Sequence, residues 1–281
     1  MCEDIISRFI PPGPDQWANP DTYAALTDYD NVAWAGEWLC RNDDFQNTLK
    51  TLPCHSREVS VTRNGIPCTC CTKNCPLAAF GVCCCMVDRE SPAVLWLPEC
   101  NPHVLSVEAT FALRKNGGQD LRDCPLLKGV FKNGDGLLHL LFRDGWRTFQ
   151  LAVQGVPDID RPILLQHAIL DLNGIRENLG GFEKLCALYR KHCLLKLPLP
   201  DGKAAQEQIK GVQALDGKKA GATHREIASV VFREESAMSG GWEDCYRSRM
   251  QRLLRKAGKM ADGLGYLSLL KKGKKGKPPE E

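Results

Sequence analysis

The sequence predicts an α+β protein with an N-terminal helical segment, a central antiparallel sheet and a C-terminal helical domain of helix-turn-helix-like form. Three observations carry this. Val107, Ala109, Phe111 and Leu113 alternate with Glu108, Thr110 and Ala112, the period-2 pattern of a sheet with one buried face. Beyond Pro162 the apolar period lengthens to that of helices. Residues 241–277 hold eleven Lys/Arg against Glu243, Asp244 and Asp262, a local charge of +8 in a chain whose total is only +3. A basic end on an acidic body points to one polyanion-binding surface.

Taken in order, residues 1–52 form the N-terminal segment. Asp21 or Thr22 is placed to cap a first short helix, and Trp34, Glu37, Trp38 and Leu39 fit a second. Trp17, Tyr23, Trp34 and Trp38 in so short a polar stretch indicate a packed unit or a docking surface, with packing favoured by the area such rings bury. Residues 53–75 show no period and read as a linker or loop. The central α+β domain spans 76–200: "AVLWLP" is an apolar strand, and Asp144-Gly145 between two strand-like runs signals a two-residue hairpin. "ILLQHAILDLNGI" and "FEKLCALYRKHCLL" read as two helices separated by Gly180-Gly181. "LPLPDGK" marks a boundary, after which 203–270 contain three helical segments and 271–281 a basic tail.

At 281 residues and 43% hydrophobic composition the chain can bury a real core. No apolar run reaches 18 residues and the first residues lack the pattern of a secretory signal, so a cytoplasmic protein with no membrane partner is expected. The fifteen cysteines then read as reduced thiols. Cys68, Cys70, Cys71 and Cys75, with Cys54 and His55 upstream, are ligand types that suit zinc, but the spacing lacks two matched knuckles and no metal or other cofactor is expected. Cys83, Cys84 and Cys85 read as small apolar residues. No nucleotide-binding, metalloprotease or serine-hydrolase motif occurs, and the histidines are scattered; a non-enzyme is the reading.

Thr223 followed by Glu226 is a capping box that starts a helix at His224. On the last long helix Tyr246, Met250, Leu253, Leu254, Ala257 and Met260 fall on one arc, while Arg247, Arg249, Arg252, Arg255, Lys256 and Lys259 fall on the other. A solvated face is the plain alternative. Yet no acidic residue interrupts the run from Arg247 to Ala261, and like charges so close repel by a few tenths of a kcal/mol per pair. An external polyanion supplies the missing counter-charge, and an α-helix fits the major groove of double-stranded DNA. Lys271, Lys272, Lys274 and Lys275 of the tail fit as a backbone clamp.

The stretches "VQALDGKKAGATHREIASVVF" and "YRSRMQRLLRKAGKMADGLGY" resemble the RovC-type DNA-binding domain of bacterial transcription activators. Residues 17–45, with Trp17, Tyr23, Trp34, Glu37, Leu39, Arg41, Asn42 and Phe45, look like the transcriptional-regulator-like segment that often precedes it. Chains that join both are similar to the FseA-like activators of integrative and conjugative elements. The resemblance implies DNA contacts from Arg225, Arg247, Arg249, Arg252 and Arg255, to which His224 at the start of the same helix as Arg225 is added as a candidate contact. It also implies a homo-oligomer, a bacterial transcription activator and regulated genes of mobile-element transfer, excision or secretion. Recruitment of RNA polymerase would be the mode of action. Leu267 stands where the family has an arginine, and Phe80 where a tryptophan is expected. The competing classes are a protein-interaction module whose basic end is incidental and a zinc-binding nucleic-acid enzyme.

Overall fold

The computed structural model describes residues 12–51, 57–61, 67–71, 75–87, 92–145, 147–166, 172–191, 193–194, 202–232 and 244–271. The chain divides into two compact units. One is built from two distant stretches, 9–47 and 198–269; the other holds 48–197 together with the terminal residues 1–8 and 270–281.

The two-stretch unit starts with a 3-10 helix, Pro20–Asp28, capped by the Asn19 side chain rather than by Asp21 or Thr22. Proline at its first position needs no N–H bond there. α1 (Asn31–Leu39) is capped by Asp30, whose carboxylate accepts from Ala33 N at 2.8 Å. α2 (Asp43–Thr51) follows after a tight turn. The second stretch supplies α4 (Gly202–Lys219), α5 (His224–Val231) and α6 (Asp244–Ala261), α3 (Leu172–Lys191) lying in the other unit. Two glycines inside α4 work against helix propensity by about 1 kcal/mol each. The structure shows why they are there: a Cβ on Gly211 would lie 3.1 Å from the Trp38 ring, and one on Gly217 would lie 2.8 Å from Trp17. The two indoles therefore seat directly on the α4 backbone. Trp38 also donates to Gln208 at 2.7 Å, and Gln213 donates to the Trp17 carbonyl at 3.0 Å. The sequence treats 1–52 and 203–270 as separate segments, whereas their cores are shared here.

The other unit is a seven-stranded sheet in the order β1-β2-β6-β7-β8-β5-β9 plus a two-stranded hairpin, β3-β4. The strands are β1 (Arg57–Val61), β2 (Pro67–Cys71), β3 (Val82–Val87), β4 (Pro92–Trp96), β5 (Leu105–Phe111), β6 (Leu127–Lys132), β7 (Leu138–Asp144), β8 (Arg147–Gln154) and β9 (Ile163–Gln166). β5 has the expected alternation, with Leu105, Val107 and Ala109 buried, but it ends at Phe111 and leaves Leu113 exposed. The hairpin between β7 and β8 forms with Asp144 paired to Arg147, so Asp144 closes the strand and the turn begins at Gly145, whose φ of 58° suits glycine.

Four expectations need correction. The sheet is mixed: β2 with β6 and β5 with β8 run parallel, because alternation reports a buried face and is silent about strand direction. The supposed linker 53–75 contains β1 and β2. Ile163–Gln166 is a strand added antiparallel to β5 rather than the start of a helix, a short apolar run being ambiguous between the two. Gly180-Gly181 does not break the helix: α3 (Leu172–Lys191) runs through it, and Gly181 lets the helix approach Leu105, 3.2 Å from where a Cβ would sit.

α3 covers one sheet face through Leu188, with Phe182, Leu185 and Tyr189 partly buried against Val107, Leu140, Phe149 and Leu151. The opposite face meets β3-β4 through Phe131, Leu141, Cys83 and Leu95. There Gln150 bridges the two layers, accepting from Trp96 N at 3.0 Å and donating to Trp96 O at 2.8 Å. His139 lies fully buried beside it, its Nδ1 3.0 Å from Gln150 Nε2, and its Nε2 has no partner among the described residues.

Two outcomes follow from this architecture. Expressed alone, residues 198–281 should lack a cooperative melt by circular dichroism and regain one when a 12–52 peptide is added, because each buried aromatic removes about 150–250 Å² from water and a domain has only about 5–15 kcal/mol of stability. A cooperative transition in the isolated fragment would contradict it. Burial also lowers the pKa of His139 to about 4, against about 6.5 unfolded. Between these values the unfolded chain binds the extra proton, so stability rises with pH across this window and falls by up to about 3 kcal/mol as pH drops through it. Urea midpoints at pH 7, 5.5 and 4.5 should decline in that order, and His139→Leu should flatten the decline.

Candidate nucleic-acid interface

The interface is built on α5 and α6. Both halves of the capping box are present: Glu226 N donates to Thr223 Oγ1 at 3.3 Å and Thr223 N donates to Glu226 Oε2 at 2.7 Å. The Thr223 hydroxyl also donates to Glu226 Oε2 at 2.7 Å, and that bond, followed by the one from Thr223 N, holds the Glu226 carboxyl below its usual range. α5 then buries Ile227, Ala228 and Val231 against Ala214 of α4 and Met250 and Leu254 of α6. Residues 233–243, between α5 and α6, lie outside the described residues.

α6 is held by Met250, Leu254, Ala257 and Ala261, all buried and spaced i, i+4, i+7, i+11, with Tyr246 and Leu253 partly buried. Its C-terminus is fixed from the first stretch of the chain, where Asn42 Nδ2 donates to the Ala261 carbonyl at 2.7 Å. That satisfies one of the carbonyls a helix end leaves free. Past it, Tyr266 N donates to Met260 O at 3.1 Å, and Leu264 adopts φ 55° with 40% of its surface exposed. Left-handed backbone is a strained state for leucine.

Arg247, Arg252, Arg255, Lys256 and Lys259 all face solvent, and none is in an ion pair with a described acidic residue. They form one contiguous cationic face. Arg249 departs from it: it is half-buried, its guanidinium 4.4 Å from the centre of the Phe232 ring. At that distance the ring holds it by cation–π attraction. Lys210 approaches the same ring at 5.7 Å. His224 and Arg225 are exposed in the first turn of α5, and Lys271 is exposed; Lys272, Lys274 and Lys275 lie outside the described residues. Two exposed residues escaped the sequence reading. Ser248 and Gln251 line an open concavity with Arg252 and Arg255 at the centre of the face. They fall within the cationic arc by helical angle, about 100° and 40° from Arg247, and a search for charge alone passes over them.

Cys68, Cys70 and Cys71 belong to strand β2, and Cys75 precedes a 3-10 helix, Pro76–Phe80. Among the described residues no group of three His, Cys, Asp or Glu side chains could hold a metal ion, and no helix is long and apolar enough to cross a membrane. Leu267 begins the short helical turn Leu267–Leu270, half-buried where an arginine was expected.

Two segments of the chain are similar to domains of transcription regulators. Residues 180–271 match the family model of the RovC DNA-binding domain, described as "T6SS, Transcription factor, DNA binding domain". Residues 16–64 match the model described as "Proteobacterial transcriptional regulator-like domain". No curated protein matches the chain. These two matches leave 65–179, most of the sheet, uncovered.

The strained turn gives a test of how α6 ends. Leu264→Gly should stabilise the protein by about 0.5–1 kcal/mol, since relief of about 1–2 kcal/mol of left-handed strain exceeds the added entropy of glycine in the unfolded chain. A lower melting temperature would mean that the Leu264 side chain contributes more than its backbone costs.

Proposed function

We propose that this protein is a sequence-specific, double-stranded-DNA-binding transcription activator that lays α6 in the major groove in a helix-turn-helix-like manner. It acts by binding rather than by catalysis. The observation that carries the reading is the exposed, single-signed face of α6 inside the segment that matches a DNA-binding family model. Arg247, Arg252, Arg255, Lys256 and Lys259 neutralise phosphates or reach base edges, with His224 and Arg225 of α5 and the tail lysines 271, 272, 274 and 275 as further backbone contacts. Arg249 supports the face from behind by its stack on Phe232. In the proposed setting the protein works in the bacterial cytoplasm as a homo-oligomer and contacts RNA polymerase. Its targets are genes of mobile-element transfer and excision or of secretion, a reading supported by the resemblance to activators of those systems.

Binding to promoter DNA across a salt series tests the reading. Several phosphate contacts make log K fall linearly with log salt, by about 0.9 per phosphate neutralised. Replacing Arg252 and Arg255 together with Ala should leave the melting curve nearly unchanged, because both are exposed and alanine is the better helix former. Specific affinity should drop by about 1–3 kcal/mol for each arginine that reads a guanine. Lys259→Ala should weaken all sequences evenly and reduce the salt slope by about one. Met250→Asp is the contrast: at 0% exposure it puts a charge into the core and should unfold the unit. Wild-type affinity in the folded double-arginine variant would remove α6 as the reading surface.

A further inference from the structure

Around the axis of α6 two uncharged side chains interrupt the exposed cations. With Arg247 at zero, Gln251 lies at about 40°, Arg255 at about 80°, Ser248 at about 100°, Lys259 at about 120°, Arg252 at about 140° and Lys256 at about 180°. Arg247 and Lys256 thus point to opposite sides, where the two phosphate rows that wall a groove would run. Between them stand Lys259, one turn further along the helix, and the two arginines and two uncharged residues that line the concavity. Gln251 is exposed between Arg247 and Arg255 and shares the concavity with Arg252 and Arg255. Glutamine has no charge for phosphate, but its amide matches the adenine N6 donor and N7 acceptor with two bonds, as arginine matches guanine O6 and N7.

We propose that Gln251 is a specificity-determining residue that selects adenine, next to a guanine read by Arg255. This rests on the reading of α6 as the helix in the major groove. Ser248 to Arg255 spans about 10.5 Å along the helix. With base pairs stacked about 3.4 Å apart, the reading window covers about three of them. The operator half-site therefore holds an A and a G within that window. Gln251 donates its amide N–H to adenine N7 and accepts from N6 at Oε1; Ser248, able to donate or accept, tolerates any base beside them.

Selection of binding sites from a randomised duplex pool by the full chain tests this, alongside Gln251→Ala and Gln251→Glu. Gln251 is exposed, so both variants should melt as the wild type does. The wild type should enrich one A-selective and one G-selective column within about three positions. Gln251→Ala should lower the A preference about 5- to 150-fold and leave the other columns, and Gln251→Glu should move that column toward C, whose N4 amine donates. An unchanged pattern in Gln251→Ala, with the G column lost in Arg255→Ala, overturns the assignment and leaves α6 as the reader. Enrichment of no sequence by the wild type, with binding that still falls with salt, overturns both the assignment and sequence-specific reading.

Discussion

The two-stretch unit depends on a buried ion pair. Arg41, 1% exposed, donates from Nε to Asp216 Oδ1 and from Nη2 to Asp216 Oδ2, both at 2.7 Å, and its Nη1 donates to the carbonyl and the carboxylate of Glu37. Removing such charges from water costs several kcal/mol per ion, and only near-complete hydrogen bonding offsets it. Burial works against the charged guanidinium, but the Glu37 and Asp216 carboxylates outweigh it and keep Arg41 ionised. Tyr23 donates to Asp216 Oδ2 at 2.9 Å, and burial beside that carboxylate pushes its phenol far above the usual range, so it remains a donor. Hydrophobic burial is non-directional, whereas a fork-to-fork contact admits one orientation. The pair therefore fixes how α1 sits on α4, across 175 residues of sequence.

The residues beside Arg41 extend this order to α6. Asn42 holds the end of α6 through Ala261 and turns the chain into α2 by accepting from Phe45 N at 2.7 Å. Asp43 takes the ammonium of Lys219, which also donates to the Arg41 carbonyl at 2.6 Å. Three consecutive side chains thus bind two helices of the second stretch. A face of like charges repels itself and lowers the stability of its own helix. The buried row Met250, Leu254, Ala257 and Ala261 opposes that repulsion, and Asn42 fixes the frame in which the row sits.

How far all this could be read from the sequence follows from the range of each interaction. The capping box at Thr223 and the two arcs of α6 are local, set by residues three and four apart, and both could be read. β5 was legible from its alternation for the same reason. Strand direction was not, because β2 meets β6 and β5 meets β8 across long stretches whose sequences carry no mark of the pairing. Glycines misled in one place and hid information in another: Gly180-Gly181 suggested a break, while Gly211 and Gly217 in α4 recorded the seats of Trp38 and Trp17. Arg41 and Asp216 stand in the stretches that carry the family resemblance, but their pairing could not be read, since nothing local distinguishes a buried arginine from a solvated one. Gln251 was hidden by the arginines around it.

The separation of the two stretches has an energetic consequence. Joining residues 47 and 198 closes a loop of 150 residues, which for a flexible chain costs about 4 kcal/mol plus a constant. Filling that stretch with a sheet that has its own core replaces a floppy loop by a structured one, and the closure term shrinks accordingly. Seating Trp38 and Trp17 on α4 and forming the Arg41–Asp216 pair must exceed what remains. The helix that carries the cationic face is then only as well ordered as its contacts with residues 17–45. Any change that frees Arg41 or Asn42 leaves every cation of α6 in the sequence and still weakens DNA binding, through the fraction of molecules in which the face is assembled. Residues 16–47 of the segment that matches a regulator-like domain thus belong to the same compact unit as the cationic face.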